Sequence, residues 1–130
     1  MGVLTCAGFT WGMPHLTRGH LVTLRRQYQD FAASLQRGDM ITAAGVGADF
    51  SSTITQASGN RELQTHIDLV VARTLRILAL TPDSSVWAVW LDGYRETLEL
   101  LEQDNRTAAL ERYRKIYSEY RTCVQAMPFP

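Results

Sequence analysis

From about Thr17 to the carboxyl end, apolar residues recur every three or four positions, and no Val/Ile/Thr-rich alternating run of strand length interrupts them. That spacing marks one face of an α-helix, so every segment has to bury a stripe against another helix. The expected fold is all-α: an antiparallel bundle of about five helices joined by short connections. A chain of 130 residues with 45% hydrophobic and 20% charged side chains is ordinary globular material for one domain, long enough to need no disulfide or metal staple.

The helix boundaries follow from capping chemistry. Leu21, Leu24, Tyr28, Phe31 and Leu35 form the stripe of a helix over about 17–37, with Thr17 as N-cap and Gly38 as the left-handed stop. Asp39 caps a second helix over about 40–57, whose core face runs through Val46 or Gly47, then Phe50, Ile54 and Ala57. Ser58-Gly59-Asn60 is a corner, with Asn60 capping a third helix that carries Leu63, Ile67, Val70, Val71, Thr74, Ile77 and Leu78 and stops at Pro82. Ser84 or Ser85 caps a fourth with the stripe Trp87, Trp90, Leu91, Tyr94, Leu98 and Leu101. Asn105 caps a fifth, bearing Ala109, Tyr113, Ile116, Tyr117, Tyr120 and Val124 and ending before Pro128. Residues 1–15 hold Gly2, Gly8, Gly12 and Pro14 and show neither period, so they read as an irregular lead-in to a helical domain over 16–127.

Composition removes several function classes. Thirteen basic residues balance thirteen acidic ones, leaving no electrostatic footprint for nucleic acid or an anionic membrane. No apolar run approaches the roughly 18 residues of a membrane span. Cys6 and Cys123 lie near opposite ends without CxxC spacing or a His cluster, which points to two free thiols and a cytoplasmic protein. No GxGxxG, P-loop, HExxH or GxSxG is present, and Ser51, Ser52 and Cys123 have no local base. The chain is not expected to be an enzyme, nor to carry a cofactor.

The stretch Asp49-Phe50-Ser51-Ser52-Thr53-Ile54-Thr55-Gln56-Ala57-Ser58-Gly59-Asn60 is more specific. It resembles the F-H-x-x-[IL]-x-x-A-S-G-N segment of the FadR carboxyl-terminal (FCD) domain, the effector-binding half of one subfamily of GntR-type transcription regulators. Leu35 to Asp39 is similar to the family's A-x-x-x-G-D corner. Tyr94 to Leu101 resembles H-R-x-I-x-x-A-[IL], and Ala108 to Tyr117 resembles the last A-x-x-x-M-x-x-H-L helix. The resemblance covers about residues 16–125. It implies a small organic effector, a homodimer, and a chain that, lacking a winged helix-turn-helix and the first FCD helix, makes no direct DNA contact by itself.

Many FCD domains hold a divalent metal with Asp-x3-His on one helix and a His on each of two later helices. The matching positions here are Gly47, Ser51, Tyr94 and Ile116, none of them an imidazole or carboxylate, so no metal is expected. The resemblance then implies a ligand-binding cavity at Gly47, Ser51, Tyr94 and Ile116, walled by Phe50, Ile54, Trp90 and Tyr113; Arg73, on the flank of the third helix's apolar stripe, is placed to pair with a ligand carboxylate. The alternative is that Tyr94 fills the former metal space, Arg73 is a surface residue, and the chain is a degenerate helical dimerisation or interaction protein without a ligand. Trp87, with Trp90, Leu91 and Tyr94, makes an apolar arc wide enough to read as a dimer face.

Overall fold

The computed structural model describes residues 2–80 and 84–126, and there the chain is all-α, with six α-helices and no strand. They are α1 (Gly2–Gly12), α2 (Arg18–Gln36), α3 (Met40–Gln56), α4 (Arg61–Ala79), α5 (Ser84–Glu102) and α6 (Arg106–Gln125), with one 3-10 turn, Met13–His15, after α1. Two compact units divide the chain, residues 1–81 and 82–130. Pro82 and Pro128, expected as helix stops, lie outside the described residues.

Four helix starts are fixed by side chains that accept an orphan amide. Thr17 Oγ1 accepts from His20 N at 3.3 Å, and the His20 ring returns the favour by accepting from Thr17 N at 2.9 Å, a capping box with His in place of Glu. Asp39, Asn60 and Asn105 accept from Thr42, Leu63 and Ala108. Two corners share one design. Gly38 N donates to Leu35 O and Asp39 N to Ser34 O, while Asp104 N donates to Leu101 O and Asn105 N to Leu100 O. Each is a Schellman turn whose final residue is also the N-cap of the next helix. The turn needs a left-handed residue, supplied by Gly38 (φ +73°) in the first case and by Asp104 (φ +57°) in the second.

In the first unit, consecutive helices α2, α3 and α4 pack as neighbours and α1 lies on α3 and α4. The core is Leu24 and Phe31 of α2, Phe50 and Ile54 of α3, and Ile67, Val71, Leu75 and Leu78 of α4. Ile77, expected in the stripe, is 68% exposed because it stands about 100° around the helix from Leu78; Leu75 takes the core place.

Residues 1–15 are a second correction, since Gly2–Gly12 is helical rather than irregular. No charged residue occurs in α1, and its apolar side chains are spread around the helix, so no amphipathic stripe announces it. Its glycines serve the packing. A Cβ at Gly8 would meet Ile67 Cδ1, and one at Gly12 would run into the Ile54 carbonyl. The Gly8-x3-Gly12 face therefore lets α1 sit against backbone, with Phe9 1% exposed beside it.

The second unit is the helical hairpin α5–α6. Its buried residues include Val86, Trp87, Trp90, Tyr94, Leu98 and Leu101 of α5 and Ala109, Tyr113, Ile116 and Tyr117 of α6. Trp87 is only 2% exposed, so it belongs to the interior and not to a free dimer face.

Candidate functional site

On α3, Gly47, Phe50, Ser51 and Ile54 follow each other at steps of three, one and three, which places all four on one buried face. The helix runs close to its neighbours here. A Cβ at Gly47 would stand 3.3 Å from Phe31 Cε2 and 3.4 Å from Leu75 Cδ1, so α2 and α4 already fill the space beside that glycine. Ser51 is 3% exposed and its carbonyl accepts from Thr55 Oγ1 at 3.1 Å. Arg73, placed by the sequence at the edge of a ligand carboxylate, is exposed on α4. Asp49 lies off the buried face; partial desolvation, with the nearby Asp68 charge, raises its pKa above the ordinary carboxylate value.

On α5 the buried face is Trp90, Tyr94, Thr97, Leu98 and Leu101. Trp90 meets Tyr94 edge-on at 5.6 Å and Tyr117 of α6 at 5.3 Å, with Tyr120 at 5.7 Å. Tyr113 and Tyr117 bring their hydroxyls within 3.2 Å, and burial raises the Tyr120 pKa. Ile116 is fully buried and packs against the bare backbone of Gly93. Two polar atoms of this face have no hydrogen-bond partner: the Trp90 indole N–H and the Thr97 hydroxyl. Most buried polar atoms find one, so orphans of this kind call for an explanation.

Charge reaches into the hairpin at Arg112, whose side chain is 12% exposed and whose Nη1 is buried without a hydrogen-bond partner. Arg112 donates to Glu96 and lies 3.7 Å from Glu119, and this hydrogen bond, with the guanidinium charge, holds the Glu96 pKa below the ordinary carboxylate value. In the first unit, Ala44, Gly45 and Ala48 of α3 and Ala72 and Ala79 of α4 floor an open apolar groove of about 450 Å³, with Arg76 on its wall.

Comparison with protein-family models matches residues 2–119 to the FCD domain. The chain belongs to the FCD domain family. Comparison with curated proteins and with solved structures gives no match. The FCD span begins at residue 2, ahead of the residue-16 start read from the sequence, so α1 is part of the FCD domain rather than a segment that matches nothing.

The FCD metal positions can now be tested on chemistry. Gly47 has no side chain and is packed against Phe31 and Leu75, while Ile116 is packed against Gly93. Ser51 and Tyr94 offer only hydroxyls, and among the described residues no group of His, Cys, Asp and Glu is arranged to hold a metal ion. These residues do not fit a transition metal. Of the six expected site residues, Gly47, Phe50 and Ser51 share the α3 face of the first unit, Arg73 is turned out, and Tyr94 and Ile116 belong to the second unit. Sequence reasoning missed Thr97. The signal was its place three residues after Tyr94 and seven after Trp90, which puts a hydroxyl on an otherwise apolar and aromatic stripe.

Proposed function

We propose that this chain is the effector-sensing part of a GntR-type transcription regulator, receiving a small organic metabolite in its helical interior and associating as a homodimer. The observation that carries the reading is the FCD match over nearly the whole chain. Orphaned polar atoms on the buried face of α5 support a ligand, because their desolvation is offset only when a partner arrives. Exposed apolar side chains support self-association: Val3 (90%) and Trp11 (54%) on α1, with Ile41 and Leu80 at the α3–α4 groove. In this reading DNA is contacted by another segment or another protein, and this chain supplies the sensor. A regulator works beside the chromosome, which places it in the cytoplasm. Among the described residues, no helix is long and apolar enough to cross a membrane.

A second reading, a helical interaction module without a ligand, is favoured by one observation: Phe31 and Leu75 close the space at Gly47. Two measurements decide. Denaturing the purified protein and analysing the supernatant by mass spectrometry should release one small molecule near stoichiometry. Light scattering at micromolar concentration should give twice the mass of the 14.6 kDa chain. A monomer that releases nothing and is stabilised by no compound in a metabolite screen refutes the sensor reading.

A further inference from the structure

Resting on the homodimer reading above, we infer that the α3–α4 groove of the first unit is the dimer interface, seated on the same groove of a second copy with each Arg76 against the partner's Asp68. Ala44, Gly45 and Ala48 of α3 and Ala72 and Ala79 of α4 floor this groove, so another backbone can come close. A Cβ at Gly45 would meet nothing within 4 Å, which marks open space rather than packing. Ile41 (77% exposed) and Leu80 (82%) stand at its rim, and Leu69 (49%) lies on the outer side of α4. Apolar surface of this kind is usually closed by association.

The charges choose the occupant. Arg76 stands on the groove wall, and among the described residues nothing pairs with it. Two helical turns earlier on α4, Asp68 is close enough to Asp49 of α3 for the two carboxylates to repel each other. Asp49 has no side-chain partner among the described residues, and Asp68 has Gln64 Nε2 at 3.4 Å. Arg76 and Asp68 are about 12 Å apart along the helix, so they do not neutralise each other within one chain. A two-fold axis does it instead. Residues 68, 72 and 76 follow at steps of four, within an arc of about 80°, and Ala72 is their midpoint. In an isologous contact, residue i meets j and j meets i. With the axis crossing α4 at Ala72, antiparallel copies bring Ala72 to Ala72 and each Arg76 over the partner's Asp68 and Asp49. A small acid would answer Arg76 and leave both carboxylates uncompensated. A foreign protein would have to bring the matching pattern, which a second copy already carries.

Charge exchange in the full chain tests the interface, read as the dimer dissociation constant from light scattering over a concentration series. Arg76→Glu and Asp68→Arg should each raise that constant about tenfold or more, since like charges then face each other between the copies. The variant carrying both exchanges should bind about fivefold or more tighter than either single one, because the pattern returns with its signs reversed. Unchanged far-ultraviolet circular dichroism shows that each variant is folded. Ala72→Cys, in a Cys6→Ser and Cys123→Ser background, should form a disulfide-linked dimer on mild oxidation, since a residue on the axis meets its own copy. A dimer that is indifferent to Arg76→Glu, or whose Ala72→Cys form does not cross-link, overturns this interface and leaves the homodimer reading standing. Loss in both single variants without recovery in the double overturns the pairing of Arg76 with Asp68. A wild type that stays monomeric at every concentration overturns the homodimer reading and the interface with it.

Discussion

Replacing Gly93 by Ala should reverse its effect depending on what stands at position 116. In an open helix interior the exchange gains about 1 kcal/mol, because Gly is the poorer helix former. Here the new methyl would lie 2.6 Å from Ile116 Cδ1 and nearer still to Cγ1, where ordinary carbon contacts are ~3.5–4.0 Å. Ile116 is 0% exposed, so it cannot swing out into solvent. Forcing a methyl into such packing costs typically about 1–3 kcal/mol, and an overlap near 1 Å belongs at the upper end. Subtracting the propensity gain leaves a net loss of about 2 kcal/mol for Gly93→Ala in the wild type. Ile116→Ala removes both offending atoms and leaves only Cβ, 3.4 Å away, at a cost of its own of about 2–5 kcal/mol. In that background Gly93→Ala should stabilise by about 1 kcal/mol, a coupling of about 3 kcal/mol between the two sites. Urea unfolding of the four proteins, followed by circular dichroism and read at constant m-value, gives the cycle. Stabilisation of about 1 kcal/mol by Gly93→Ala in the wild type would refute the close approach of α5 and α6.

Gly12→Ala drives a methyl into the Ile54 carbonyl, which is backbone and cannot swing aside; α1 should leave its seat, and limited proteolysis should cut residues 1–16 far faster than in the wild type. Asp104→Gly relieves a left-handed conformation worth about 1–2 kcal/mol to an L-residue, gives back about 0.4–1 kcal/mol in unfolded-chain entropy and loses an exposed Arg106 ion pair worth about 0–1 kcal/mol, so the urea midpoint should rise by the equivalent of at most about 1.6 kcal/mol. Asp49 has its pKa raised on folding, so its ionisation opposes the fold as pH rises through the folded value. Asp49→Asn should therefore raise Tm at pH 7 and lose that advantage near pH 3, where the Asp49 carboxyl is largely protonated in either state; an equal gain at both values would show that charge is not the cause.

How much of this was legible depended on the range of the forces involved. Thr17, Asp39, Asn60 and Asn105 were readable as caps, Gly38 as a left-handed stop and Ser58-Gly59-Asn60 as a corner, because a cap is settled within four residues of chain. The FCD resemblance over α3 and its flanks was readable for the same reason: it is a string of local requirements. Helix α1 was not. GVLTCAGFTWG has no polar face to give a period, and its glycines look like breakers until α3 and α4 stand against them. Trp87 was misplaced because the width of an apolar arc does not say which part of it a neighbour covers. Arg73 and Ile77 were drawn toward the core by their closeness to the α4 stripe, though each is exposed. Thr97 keeps a buried hydroxyl without a hydrogen-bond partner, a consequence of packing that is invisible in the letter T.

Asp39 and Asn105 each end one helix and begin the next, so neither the α2–α3 nor the α5–α6 joint contains a spare residue. Most surface connections absorb insertions cheaply, since lengthening a flexible loop costs little. These two behave as hinges soldered shut. One added residue either breaks the shared turn or advances the following helix by about 100°, carrying Phe50 and Ser51, or Tyr113 and Ile116, off the faces they occupy. Along a lineage, these positions should accumulate exchanges of side chain while the spacing across each joint stays fixed to the residue, so the two gapless joints, rather than any cluster of polar residues, are the part of this chain least free to change length.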